Sequence, residues 1–224
     1  MKKILLLIFF FSVISLAYTQ EQGQHEPIPF DFPNLVREDV GERYHRYGYF
    51  DRKNPYFKFE IVFPKNWMMI VVKEPDEIPE YGGPVEIGAF HRYRVPADSS
   101  SDILAGMYVL VTRVPSEWSD DEAIEKFVEN TYKKLGLKIL KIKKYELPNK
   151  TLEDILFSYK DSQGRAWWSR VTGFKVLDKT REYLFGKKDL FYILQLNSSE
   201  ENYRSFAAEV FFVGKLSLRL VPDK

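Results

Sequence analysis

The sequence predicts an α+β domain: an antiparallel β-sheet flanked by two helices in a three-layer sandwich. Three observations carry this. Several segments alternate apolar and polar residues with period two, as half-buried strands do. Two segments, 105–111 and 190–196, are apolar on both parities, as strands covered on both faces are. Two others keep the 3.6-residue period of an amphipathic helix behind a serine cap.

In chain order, Phe57, Phe59, Ile61 and Phe63 alternate with Lys58, Glu60 and Val62, a strand with one buried face. A turn at 64–66 leads to a second apolar run, 67–72. Residues 74–84, rich in Pro, Gly and acids, read as an exposed loop. Val85, Ile87, Ala89, His91, Tyr93 and Val95 share one parity opposite Glu86, Arg92 and Arg94, which predicts another strand. A polar loop at 96–102 precedes the first interior strand. Ser119 and Glu122 have capping-box spacing, and Asp120 and Asp121 suit the positive end of the helix dipole. Ile124, Phe127, Val128, Thr131 and Leu135 form the helix's apolar stripe, which stops at Gly136. Strands follow at 138–147, 154–160 and 165–176, the last two joined by a hairpin turn at 161–164. Trp167 and Trp168 are adjacent in a strand and so point to opposite faces. After the interior strand at 190–196, Ser198 or Ser199 opens a second helix with Tyr203, Phe206, Ala207 and Val210 on one face. Gly214 is expected to break it, and 215–220 to add a short last strand.

The domain is assigned to 56–224. Upstream, Met1-Lys2-Lys3 precedes an apolar run at 4–16 interrupted by Ser12 and Ser15, and the small residues Ala17 and Thr19 follow. This three-part pattern predicts a secretory signal peptide over residues 1–19. The run falls short of the ~20 residues that span a bilayer, so cleavage without a stable membrane anchor is expected, an uncleaved anchor being the alternative. The mature protein is then periplasmic or secreted. Residues 20–55 read as an extended arm. Pro27, Pro29 and Pro33 favour open backbone, while Phe30, Phe32, Tyr44, Tyr47, Tyr49 and Phe50 are more aromatics than a free tail carries. Such an arm docks on its own domain or on a partner.

There are 33 Lys and Arg against 32 Asp and Glu, and without Lys2 and Lys3 the balance is 31 against 32. That gives no global field for nucleic acid. Cysteine is absent, so disulfides and acylation on a cysteine at the end of the leader are excluded.

The order of pieces resembles the PsbP-like superfamily, which takes in a lumenal photosystem accessory protein and DcrB-type bacterial envelope proteins. The resemblance rests on the opening strand Phe57-Lys58-Phe59-Glu60-Ile61-Val62-Phe63 running into Pro64-Lys65-Asn66-Trp67, the 119–136 helix among strands, and the closing strand, Ser198-capped helix and strand. It covers residues 56–220. The chain departs from that pattern by its aromatic arm and by having no cysteine to lipidate. The resemblance implies a non-catalytic fold that binds or stabilises other proteins.

Reactive chemistry has few candidates. His25, His45 and His91 show no metal-binding spacing, and His91 lies on the apolar parity of its strand, so a hydrogen-bonded, partly buried imidazole is expected. Ser99, Ser100 and Ser101 lack a nucleophile elbow. Glu74, Asp76, Glu77 and Glu80 lack calcium-loop spacing. No catalytic, cofactor or metal residue is assigned. The densest cationic run, Lys133, Lys134, Lys138, Lys141, Lys143 and Lys144, suits either an acidic partner or a strand edge protected from further pairing. The candidate protein contacts are Phe30, Phe32, Tyr44, Tyr47, Tyr49, Trp118, Trp167, Trp168, Lys141, Lys143 and Lys144. The expectation is an exported accessory protein that binds another envelope protein. The alternatives are an exported hydrolase built around His91, or a small-ligand binder with an apolar cavity between helix and sheet.

Overall fold

The computed structural model describes residues 41–49, 57–72, 78, 83–96, 98–147, 150–177 and 188–220. The signal peptide expected over 1–19 lies outside these residues. So do most of the arm, with His25, Phe30 and Phe32, and the acids Glu74, Asp76, Glu77 and Glu80.

Among the described residues, ten strands form two antiparallel sheets. The strands are β1 (Tyr44–Tyr49), β2 (Phe59–Pro64), β3 (Met68–Ile70), β4 (Val85–Tyr93), β5 (Ile103–Pro115), β6 (Lys138–Leu147), β7 (Lys150–Lys160), β8 (Ala166–Leu177), β9 (Lys188–Ser198) and β10 (Arg219–Leu220). Helix α1 (Asp120–Tyr132) follows β5, and α2 (Glu200–Asn202) runs through a π turn (Tyr203–Ala207) into α3 (Ala208–Ser217). The main sheet has the order β3-β4-β5-β9-β8-β7-β6, and the small one β1-β2-β10.

The two strands apolar on both parities, β5 and β9, are central neighbours in the main sheet. Their alternate side chains feed two separate cores. Met107, Val109 and Val111, with Leu190, Tyr192, Leu194 and Leu196, meet Phe59, Ile61 and Phe63 of β2 and Phe211 and Val213 of α3. Leu110 and Val114, with Phe191 and Ile193, meet Ile124, Phe127 and Val128 of α1. Each such buried side chain contributes about 1.5–3 kcal/mol. The fold is therefore α+β and antiparallel, as expected from sequence. A two-helix description is too spare, because the small sheet shares the second layer with α3. The 57–63 strand joins that small sheet instead of the long one. Part of the arm joins it too, since Tyr44–Tyr49 pairs with β2 along its whole length.

The caps follow local chemistry. Ser119 Oγ accepts the Glu122 amide at 3.1 Å, with three acids in the first turn of α1. At the second helix the cap is Ser199, which accepts the Asn202 amide at 3.2 Å, while Ser198 is fully buried as the last residue of β9. Gly214 does not break this helix. It is buried within α3, and a Cβ there would stand 2.8 Å from Met107 Sδ, so its small size lets the helix approach β5. The helix runs on to Ser217, which leaves only Arg219–Leu220 for the last strand.

One buried ionic cluster escapes sequence reading. Asp154 Oδ2 on β7 accepts Arg170 Nη2 at 2.5 Å and Lys215 Nζ at 2.9 Å, with both the Asp154 and Arg170 side chains fully buried. The Arg170 guanidinium also lies 4.6 Å from the Phe211 ring centre. On the other face of β7, buried Glu153 meets Lys144 at 2.9 Å, and Lys144 meets Asp121 of α1 at 3.1 Å. Burial raises the Glu153 pKa, and Lys144 works against that rise.

Candidate functional site

The α1 face of the main sheet changes character along its length. Helix α1 packs over β7 and β8. Towards β4, side chains of the same face form a polar row. His91, Gly106, Asn197 and Ser169 are successive register partners across β4, β5, β9 and β8. Tyr108 and Gln195 pair in the next row. Period-two alternation puts all six on one face.

These residues are interlocked. Gln195 Nε2 lies 2.8 Å from Asn197 Oδ1 and 3.1 Å from Ser169 Oγ, and also meets the Tyr132 hydroxyl. Tyr132, from the end of α1, packs on Tyr159 with ring centres 4.6 Å apart. A Cβ on Gly106 would stand 2.4 Å from the Tyr108 hydroxyl, so the absent side chain is what lets the Tyr108 phenol lie across the strand. His91 packs edge-on against Tyr108 at 5.5 Å, and its Nδ1 lies 3.2 Å from the Tyr93 hydroxyl.

Beside this row opens a cleft of about 320 Å³. Tyr108, Tyr159 and Trp167 supply its ring surfaces, Asn197 its amide, and Asp161 and Arg165 its charged rim. The β7–β8 hairpin fixes the rim. Asp161 Oδ1 accepts the Gln163 and Arg165 amides, each at 2.9 Å, and Oδ2 accepts Arg165 Nε at 2.7 Å and Trp167 Nε1 at 3.0 Å. Desolvation alone would raise the Asp161 pKa. The bonds from Trp167, Arg165 and Gln163 outweigh it and hold the carboxyl well below its ordinary range. Burial, with Glu86, Tyr132 and Tyr93 nearby, pushes the Tyr108 phenol up to about 12, and burial pulls the His91 imidazole down. Around neutral pH the site therefore presents neutral phenols, a neutral imidazole and an anionic Asp161 already engaged by its own hairpin. Such a surface can stack and hydrogen-bond.

Of the contact residues expected from sequence, Trp167 lines this cleft. Trp168 points to the opposite face, where it is 8% exposed and packs on Tyr203 at 5.5 Å. Tyr44 is 7% exposed and donates to Glu209 Oε1 at 2.8 Å, and burial and that carboxylate raise its pKa. As placed, both belong to the core. Tyr47 is half-buried, edge-on to Phe63 at 6.0 Å. Tyr49 pairs through its backbone with Phe59. Trp118 is half-buried on the α1 core with Lys126 Nζ 4.8 Å from its ring centre. Lys141, Lys143 and Lys144 lie on β6, the outer strand of the main sheet opposite β3. No local pattern marks Tyr108, Tyr159, Asn197 and Gln195 as a group, because they meet only through register across strands distant in the chain. The hairpin Asp161 four residues before Arg165 was the one local signal.

Among the described residues, further clefts lie elsewhere. One, of about 510 Å³, lies between the main sheet and the end of α3. It is lined by apolar side chains including Phe174, Val176, Leu194 and Leu218, with Lys215 and Arg219 beside them. The other, of about 500 Å³, has Trp67 and Phe206 in its wall and Arg43, Lys65 and Arg92 around it. No group of three or more His, Asp or Glu able to hold a metal ion occurs among the described residues.

No protein-family profile and no curated protein matches the chain. Among solved structures, it is similar to the solution structure of cyanobacterial PsbP (CyanoP) from Synechocystis sp. PCC 6803. The TM-score is 0.47 and the identity 11%, over 88% of this chain and all of that one.

Proposed function

We propose that this is an exported binding protein of the bacterial cell envelope. It acts as an accessory factor, contacting another envelope protein through the cleft at Tyr108, Tyr159 and Trp167. The observation that carries this reading is the combination of ring surfaces with a prearranged polar floor in an open cleft, the composition typical of protein contact sites. The leader at 1–19 supports export, and periplasmic or secreted placement follows from its removal.

A photo-crosslinking residue at Ile103, on the cleft rim, tests the contact. Envelope extracts should yield a discrete adduct that disappears in Trp167→Ala/Tyr159→Ala. An adduct unchanged by that double variant would refute the assignment. Mass spectrometry of the exported form should find an N-terminus after Ala17 or Thr19, and a retained Met1 would contradict cleavage.

A second reading, small-ligand binding, is favoured by the apolar cleft near Phe174 and Leu218. Native mass spectrometry of protein purified from its own envelope tests it: a bound hydrophobic compound lost on Leu194→Trp supports this reading, and ligand-free protein counts against it.

A further inference from the structure

We propose that the cleft beside Trp67 and Phe206 binds a small organic anion, a carboxylate carried on an aromatic body. The site is separate from the cleft at Tyr108 and from the apolar cleft at Phe174, and it rests on neither reading given above.

The site grows from the turn Pro64-Lys65-Asn66-Trp67. The Trp67 amide donates to the Pro64 carbonyl at 3.0 Å, which closes the turn. The Lys65 amide donates to the Arg43 carbonyl at 2.9 Å, which ties the turn to the entry of β1. Trp67 then stands just ahead of β3, whose Met68 registers with His91 of β4. The next residue of β4, Arg92, donates Nη1 to the Asn66 carbonyl at 3.1 Å. Phe206 comes from the π turn before α3, a distortion frequent at functional sites. Its ring is edge-on to Trp67 with centres 6.4 Å apart. The volume of about 500 Å³ is that of a small-ligand site.

The lining has more donors to offer than acceptors. It holds three cations, Arg43, Lys65 and Arg92, against one carboxylate, Glu209. Glu209 Oε1 already accepts Arg43 Nη1 and the Tyr44 hydroxyl, each at 2.8 Å. Glu42, Glu60 and Asp102 flank the cleft in sequence but do not line it. Glu60 is taken by Arg219, and Asp102 by Arg94 at 3.2 Å. Among the described residues, Lys65 and Arg92 meet no carboxylate. Trp67 is 6% exposed, and its indole N–H meets no acceptor among these residues either. A buried indole N–H ordinarily finds one.

Four classes of occupant can be compared. A cation meets a lining with a surplus of two positive charges, three against one. A neutral apolar compound leaves Lys65, Arg92 and the indole without an acceptor. An inorganic anion satisfies donors but leaves the Trp67 and Phe206 rings uncovered. A carboxylate on an aromatic body does both. Its oxygens accept charge-assisted bonds, and its ring packs on Trp67 and Phe206.

The test is a ¹H–¹⁵N NMR titration of the purified protein with 2-naphthylacetate and, in parallel, its neutral amide 2-naphthylacetamide. The acid is expected to bind with a Kd on the order of 1 mM or tighter. It should move the Trp67 indole N–H signal downfield and leave the Trp167 indole in place. The amide should bind on the order of 10-fold more weakly, since it lacks the charged acceptor. Lys65→Gln/Arg92→Gln should weaken the acid on the order of 10-fold and the amide little. Lys65 is exposed and Arg92 half-buried, and an unchanged melting curve verifies the fold of this variant. Phe206→Leu should weaken acid and amide alike. Absence of saturable movement at Trp67, equal affinity for acid and amide, or full affinity in Lys65→Gln/Arg92→Gln overturns the proposal. So does movement confined to Trp167, which would put the anion in the Tyr108 cleft.

Discussion

The two faces of the seven-stranded sheet are finished in different ways. Beneath α3 and the small sheet, apolar side chains run continuously from Phe59 and Phe63 to Phe211, and the buried charges, Asp154, Arg170 and Lys215, answer one another. On the α1 face, the apolar core of Ile124, Phe127, Ile155 and Phe191 gives way towards β4 to His91, Asn197 and Gln195 between aromatic rings. On the first face the buried ions answer one another, while the buried Ser198 hydroxyl at the end of β9 makes no hydrogen bond among the described residues. The second carries polar groups at the border of an open cleft. Burying a polar group without a partner costs stability, so the location of the polar row is a better guide to contact than the aromatics alone.

The sealed face should be the more fragile to charge removal. Asp154→Ala leaves Arg170 and Lys215 without the carboxylate that joins them, and the expected loss is about 3–5 kcal/mol in urea unfolding. A loss under ~1 kcal/mol would mean that water or another acceptor reaches the cluster. The apolar half of the other face comes next. Ile124→Ala at the α1 interface should cost about 2–4 kcal/mol, with the cavity determining the value. Equal losses at the two sites would weaken the contrast drawn between them.

The cleft makes the comparison sharper. Gly106→Ala pushes the Tyr108 phenol off the strand, at an expected cost of about 1–2 kcal/mol. Its larger consequence should be loss of the Ile103 crosslink, because the ring wall moves. If stability falls and the crosslink persists, Tyr108 supports the fold without shaping the contact surface.

Local patterns made the elements legible in the sequence. Phe57 to Phe63, the Ser119 cap and the doubly apolar 105–111 and 190–196 each encode their own burial, and the structure reads them back. Pairing is not local. Nothing in Phe57–Phe63 states that it joins Tyr44–Tyr49 and Arg219–Leu220 in a separate sheet, because a strand's alternation reports one buried face and not its neighbour. Asp154 and Arg170 look like surface charges in sequence, since what meets them, Lys215 and Phe211 of α3, comes from a remote part of the chain. Gly214 looks like a breaker for a similar reason, as its role is set by Met107 on a remote strand. The cleft was the least legible part, being made of single residues from several strands.

The smallest expected effect concerns His91, which lies where the apolar face becomes polar. Burial lowers its pKa from the ordinary 6.5, so the folded protein resists protonating it while the unfolded chain does not. As pH falls through the unfolded value, the unfolded state takes up the proton first and gains stability relative to the fold. The contribution of neutral His91 is therefore fully present above about pH 6.5 and is lost as pH falls towards the lowered folded pKa. Below that point both states are protonated and the slope vanishes. The slope should be absent in His91→Gln, which keeps a polar side chain against Tyr93 and Tyr108 but does not titrate. Urea midpoints measured from pH 8 to about 5 in both proteins decide it. Parallel curves would show that the imidazole is solvated, and that the open part of the α1 face begins at β4 itself.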